Sequence, residues 1–136
     1  MTAKPEAVWA VLADFPNIAD WNSGVKASHA TSDATSGVGA TRHCDLAPLG
    51  ALEETIAEWD EGRRMVVNID SAAKVPIKRG VATFVIDGET TTVDYAYEPA
   101  GVLGKLMAPV LSRQLTKGFQ GFLQDLDAAA NATANT

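Results

Sequence analysis

The sequence is poor in the residues that carry metal and redox chemistry. Among 136 residues there is one cysteine, Cys44, and two histidines, His29 and His43. One cysteine excludes an internal disulfide, and no Cys/His cluster has the spacing of a structural zinc site, so neither a metal nor another cofactor is expected. Long apolar runs are also missing. The start, Met1-Thr2-Ala3-Lys4-Pro5, has no hydrophobic stretch of signal-peptide type, and no window approaches eighteen uninterrupted apolar residues. Neither secretion nor integral membrane association is supported, and a reducing, bacterial-type cytoplasm is the expected location. Basic residues are few: eleven Lys and Arg face seventeen Asp and Glu, a net charge of -6. That sign is opposite to what a phosphate-backbone binder needs, so nucleic acid is excluded as a partner. The sequon Asn131-Ala132-Thr133 lies in an Ala/Asn/Thr tail without a secretory signal and is read as chance.

What remains is an ordinary globular composition, with 46% hydrophobic and 21% charged residues. A chain of this length forms one domain and buries about two-thirds of its surface. That domain is expected over residues 1–127, with 128–136 a frayed, disordered tail. From Pro5 to Phe15, proline in the first turn, Glu6 behind it, and Val8, Val11, Leu12 and Phe15 at steps of three and four predict a short amphipathic helix. Pro16 stops it and opens a second turn through Trp21, before Asn22-Ser23-Gly24 breaks the pattern.

The period then changes to two, with turn signals about every ten residues. Six strands are predicted near 25–31, 38–46, 51–59, 63–70, 80–86 and 90–98, the last two joined at Asp87-Gly88 as a hairpin. After Pro99 the helical period returns. Leu103, Met107, Leu111, Leu115, Phe119, Phe122 and Leu126 mark a long helix over 102–128 with a kink at Pro109. The order is an α+β layer arrangement, with the long helix across a curved antiparallel sheet.

With these elements placed, the chain resembles the polyketide cyclase/dehydrase family of the START-like (SRPBCC, helix-grip) superfamily. The resemblance is carried by the segment from Pro5 to Asp14, Trp21-Asn22, Val38-Gly39-Ala40, Glu58-Trp59-Asp60 before Arg63-Arg64-Met65, and Tyr97-Glu98-Pro99 leading into the long helix. It covers about the whole chain and implies the helix-grip fold, with a cavity between sheet and long helix for lipids, polyketides, quinones or other apolar molecules. Members include cyclases and aromatases, carriers and regulators, and they share no catalytic motif that transfers here residue by residue. Family members usually carry a first strand ahead of the proline-containing helix. Here only Met1 to Lys4 precede Pro5, so that strand is expected to be short or missing, which leaves the 25–31 and 90–98 strands as open edges. Homodimerisation through those edges, or a misplaced start codon, would account for it.

Taking the most apolar parity of each strand as the concave face, the cavity wall is expected to include Phe15, Trp21, Ile56, Val67, Phe84, Tyr95 and Tyr97, with Met107, Leu111 and Leu115 from the long helix. Trp21 is placed at the mouth. Glu54 and Glu58 share the parity of Leu52 and Ile56, and a carboxylate there without a cation would be a general acid or base; the alternative is a solvated face. Tyr95 could present its hydroxyl to a ligand carbonyl, or pack as core with that hydroxyl satisfied. Arg42 offers a fixed fork of donors to an enolate or carboxylate, or lies solvated on the surface. His43, next to Arg42, points to the opposite face, and Cys44 reads as a small buried hydrophobe. Gly118 and Gly121, each unfavourable in a helix, either leave room for a ligand or allow close packing.

The expected function is binding of a small apolar or aromatic molecule of lipid, polyketide or quinone class. The alternatives are a cyclase/aromatase in which Tyr95, Arg42 or Glu54 moves protons, and a regulatory module with a filled cavity. A ligand-competent cavity should exceed roughly 300 Å³.

Overall fold

Proline at the first position of Pro5–Ala13 (α1) and Glu6 in its first turn begin the chain's first helix, which buries Val8, Trp9 and Leu12. The computed structural model describes residues 2–46, 50–71, 77–99, 106 and 108–134. A 3₁₀ helix over Phe15–Asp20 follows at once, with Phe15 and Ile18 buried. Six strands come next: β1 (Ala27–Ala30), β2 (Thr41–Asp45), β3 (Ala51–Asp60), β4 (Arg64–Ser71), β5 (Ile77–Asp87) and β6 (Thr90–Pro99). They form one antiparallel sheet in sequence order, so β1 and β6 are its edges. A long helix, α2 (Ala108–Ala134), closes the chain.

The concave face follows the period of two along β2 (Arg42, Cys44), β4 (Met65, Val67) and β5 (Ala82, Phe84), all buried. On β3 the alternation breaks. Ile56 pairs with Val67 but Glu58 pairs with Val66, so Ala57 is an inserted residue. The bulge turns Trp59 inward against Trp9, with ring centroids 5.1 Å apart, and sends Glu58 outward to an exposed ion pair with Arg64. Glu58 therefore does not share the inner face with Ile56, as an unbroken strand would require. The core that results joins Val8, Trp9 and Leu12 of α1, Ile56, Met65, Val67 and Phe84 of the sheet, and Leu126 and Ala130 of α2. Each such large side chain contributes about 1.5–3 kcal/mol by leaving water.

One expectation about α2 falls partly outside the described residues and one is corrected. Leu106 is already helical ahead of Pro109, but residues 101–105 and 107, on which a kink at Pro109 would turn, lie outside the described residues. The C-terminal end continues past residue 127 to Ala134 where a disordered tail was expected, and Ala130 is fully buried. Alanine is the best helix former, and its small side chain fits under α1.

Asp127 fastens the N-terminus to this last stretch. Its carboxylate accepts from Thr2 N–H (2.9 Å), the Thr2 hydroxyl (2.8 Å) and Ala3 N–H (2.8 Å), and Asn131 Nδ2 donates to Thr2 Oγ1. Desolvation pushes the Asp127 carboxyl up, but these donors outweigh it and hold the group below the ordinary aspartate value. A depressed carboxyl stabilises the fold above its unfolded-state pKa and stops doing so as pH falls through its folded value. The urea midpoint of the Asp127→Asn variant should therefore lie below that of wild type at about pH 6, and the gap should close in acid, below about pH 3. A gap that is constant with pH would remove this role.

Candidate functional site

The register places Arg42 on β2 directly opposite Glu54 on β3. Directly opposed side chains on one face lie about 5 Å apart at Cβ, so the two charges meet inside the sheet. Arg42 Nε and Nη2 donate to Glu54 Oε2 at 2.9 and 2.5 Å, and the paired side chains are only 9% and 7% exposed. The 3₁₀ helix supplies the rest of the cradle. The Phe15 carbonyl accepts from Arg42 Nη1 at 2.7 Å, and the Phe15 ring lies under the guanidinium, 3.8 Å from Cζ to centroid. Ser28 of β1 holds that 3₁₀ helix in place by donating to the Pro16 carbonyl and accepting from Ala19 N–H. Glu54 is thus neither an unpaired carboxylate nor a solvated one, and Arg42 is not solvated but bonded to Glu54 and to the Phe15 carbonyl. Cys44, beside them on the same face, has its thiol pushed up to about 12, by burial first and then by the Glu54 charge.

Next to this pair a closed cavity of about 10 Å³ remains, walled by Val11, Leu12, Phe15, Ile18, Trp21, Arg42, Met65, Val67, Phe84 and Phe122, with Asp14 at its rim. It has room for about one water-sized atom and is far below a ligand-sized volume. Aromatic rings continue from it toward β6. Phe122 meets Trp21 edge-on at 5.3 Å, Phe84 at 6.0 Å and Phe119 in a stack at 6.1 Å, and Phe119 meets Tyr95 at 6.2 Å. Trp21, Tyr95, Phe119 and Phe122 are only half-buried, so this aromatic wall is partly open.

Tyr95 lies across β5. A Cβ at Gly80 would stand 2.8 Å from Tyr95 Oη and 3.2 Å from Cζ, so the absence of a side chain at Gly80 lets the phenol cover the strand. Gly80→Ala should destabilise the protein by about 1–3 kcal/mol through overpacking, and Tyr95→Phe in the same chain should recover part of the loss. Equal urea midpoints for wild type and Gly80→Ala would sink this account. At Gly121 a Cβ would meet open space, which favours room over close packing as the reading of that glycine.

Of the residues expected on the wall, Phe15, Trp21, Val67 and Phe84 border the closed cavity. Ile56 is buried in the core under α1, and Tyr95 stands farther along the aromatic wall. Met107 lies outside the described residues, as do the side chains of Tyr97, Leu111 and Leu115. Met65, expected on the concave face by strand parity, also borders the cavity, while sequence reasoning missed Phe119 and Phe122 as wall residues although both sit on the apolar stripe of the long helix. His43, on the convex face, pairs with Glu53 across β2–β3 and stacks near His29, ring centroids 5.2 Å apart. Among the described residues no cluster could hold a metal ion, and no helix is long and apolar enough to cross a membrane.

The family model described as "Polyketide cyclase / dehydrase and lipid transport" matches residues 1–131. Several solved structures share the fold. TTHA0849 from Thermus thermophilus superposes with a TM-score of 0.72 at 19% identity, covering 98% of this chain and 93% of that one. XoxI from Bacillus cereus gives 0.67 at 20% identity, over 95% and 89% of the two chains. The ZhuI aromatase/cyclase from Streptomyces gives 0.68 at 17% identity, over 95% and 87%. Identities this low speak for the fold alone. No protein of curated function matches the sequence.

Proposed function

The chain belongs to the polyketide cyclase/dehydrase and lipid transport family, and from that premise we propose that it binds a small apolar or aromatic molecule between the concave sheet face and α2. The observation that carries this reading is the half-covered aromatic wall of Trp21, Tyr95, Phe119 and Phe122, which runs out of the closed cavity beside Arg42. A surface kept only for core packing would gain by burying those rings completely. Because the closed cavity is about 10 Å³, a ligand enters by displacing the Phe119 and Phe122 rings or by lifting α2, and open space beside Gly121 favours that movement.

Binding is the conclusion preferred over catalysis. Two of the three proton-transfer candidates, Arg42 and Glu54, neutralise each other, so a cyclase reading would depend on Tyr95. The small closed volume favours a second reading, a regulatory module whose interior is filled by its own side chains.

Native mass spectrometry of freshly purified protein, followed by denaturing extraction, separates the two. The expected result is a stoichiometric organic adduct of roughly a few hundred daltons. Protein free of adduct, with no thermal shift on adding lipids, quinones or aromatic polyketides, would favour the filled module.

A further inference from the structure

The chain's three tryptophans are hydrogen-bonded unequally. Trp9 Nε1 and Trp59 Nε1 donate to the two oxygens of one carboxylate, Glu61, at 3.0 and 2.7 Å. Trp21 Nε1 is buried and has no hydrogen-bond partner among the described residues. A buried N–H without an acceptor is unfavourable, and native proteins keep few of them.

The surroundings show why the protein does not satisfy it. Trp21 borders the closed cavity together with aliphatic and aromatic side chains, Phe122 edge-on among them. None of the polar groups on that wall accepts from it. Arg42 carries donors only, the Phe15 carbonyl accepts from Arg42, and exposed Asp14 accepts from Asn17 Nδ2 at 2.8 Å. A residue with an unpaired indole donor therefore lines a wall on which no acceptor reaches that donor.

We propose that the Trp21 indole N–H is the group that reads the ligand, donating to a carbonyl oxygen at the inner end of an aromatic molecule. This inference rests on the ligand-binding reading above and narrows its chemistry. The cavity of about 10 Å³ accommodates one oxygen atom and no ring, so the oxygen seats there while the ring system lies along Phe122, Phe119 and Tyr95. The unpaired N–H is a donor, which favours the oxygen end of a carbonyl dipole. Discrimination follows from the same cause. A site with a buried donor rejects an isosteric ligand that has no acceptor, because that ligand leaves the donor unpaired.

The test uses 9-fluorenone and fluorene, two planar molecules of nearly the same shape that differ by a carbonyl in place of a methylene. Titration into ¹⁵N-labelled protein follows the three indole N–H resonances, with that of Trp21 assigned by its loss in Trp21→Phe. Fluorenone is expected to bind about 5–10-fold more tightly than fluorene and to move the Trp21 indole proton downfield, as a new hydrogen bond does. In Trp21→Phe, which keeps an aromatic ring of similar position, the preference should fall to within about twofold. Because the downfield shift is read in the wild-type protein, the test survives a variant that folds poorly. Equal affinities in wild type, a retained preference in the variant, or fluorenone binding without movement of the Trp21 resonance would each overturn the role of Trp21 and leave ligand binding standing. Binding of oleate but of neither ring compound would overturn the aromatic-carbonyl specificity. No binding of any of the three would remove the ligand-binding reading itself, and this inference with it.

Discussion

Arg42→Met should lower the unfolding free energy by about 3–5 kcal/mol, because it leaves the Glu54 carboxylate buried without its cation. For a domain of this size that loss moves the melting midpoint down by roughly 10–20 °C. Four interactions fail at once in the variant: both donors to Glu54 Oε2, the donor to the Phe15 carbonyl, and the stack over the Phe15 ring. An exposed ion pair such as Arg64 with Glu58 would behave differently, since solvent screens it and its removal moves stability by less than about 1 kcal/mol.

The double replacement Arg42→Met with Glu54→Leu separates the worth of the pair from the penalty of orphaning a charge. Removing both charges together should recover most of the loss, since a buried pair often contributes little net stability against an apolar pair of like volume. Thermal and urea unfolding of the four proteins in the cycle provide the check. An Arg42→Met protein within about 1 kcal/mol of wild type would show that the pair is not buried in solution.

The second large effect concerns Cys44. With the thiol pushed up from an ordinary value of 9.0 to about 12, burial being the largest cause, its thiolate fraction at about pH 8 falls roughly a thousandfold. The thiolate is the reactive form, and Cys44 is also 1% exposed, so a disulfide reagent such as 5,5′-dithiobis(2-nitrobenzoate) should modify it only through unfolding. The modification rate in native buffer should be at least about a thousandfold below that of the same chain in denaturing urea. A rate within tenfold of the unfolded chain would contradict the burial of Cys44. A thiol whose folded pKa is raised stabilises the native state fully below its unfolded pKa, and that stability is lost as pH rises through the folded value. Wild type should therefore lose stability between about pH 9 and pH 12, and a Cys44→Ala variant should lose less of it across the same window.

Much of the architecture is readable in the linear sequence because its causes are local. Pro5 and Glu6 at a helix start, Asp87-Gly88 between two β-branched runs, and apolar residues at steps of three and four through Phe119, Phe122 and Leu126 each act over a few neighbours. The same reading misjudges places where a local rule was overruled at a distance. Ala57 carries no signal of a bulge; the insertion is visible only in the pairing of β3 with β4, and it exchanges Glu58 for Trp59 on the inner face. The final turns of α2 looked like a tail because their composition is simple, yet Asp127 and Ala130 find partners at the opposite end of the chain.

For the candidate site, the residue types were legible and their roles were not. Arg42 and Glu54 are each ambiguous alone, and twelve positions of separation give no hint that register sets them face to face. The sequence by itself determined the class of fold, its acidic net charge, that a single cysteine forms no internal disulfide, and the apolar stripe of α2, since periodicity and composition act along the chain. Only the tertiary structure decided that the buried charges cancel, that Trp9 and Trp59 share Glu61 while the Trp21 N–H has no partner among the described residues, and that the cavity beside Arg42 has room for about one atom. Those outcomes depend on strand register and on contacts between distant segments, where a shift of one residue exchanges the two faces of a strand and with them every partner.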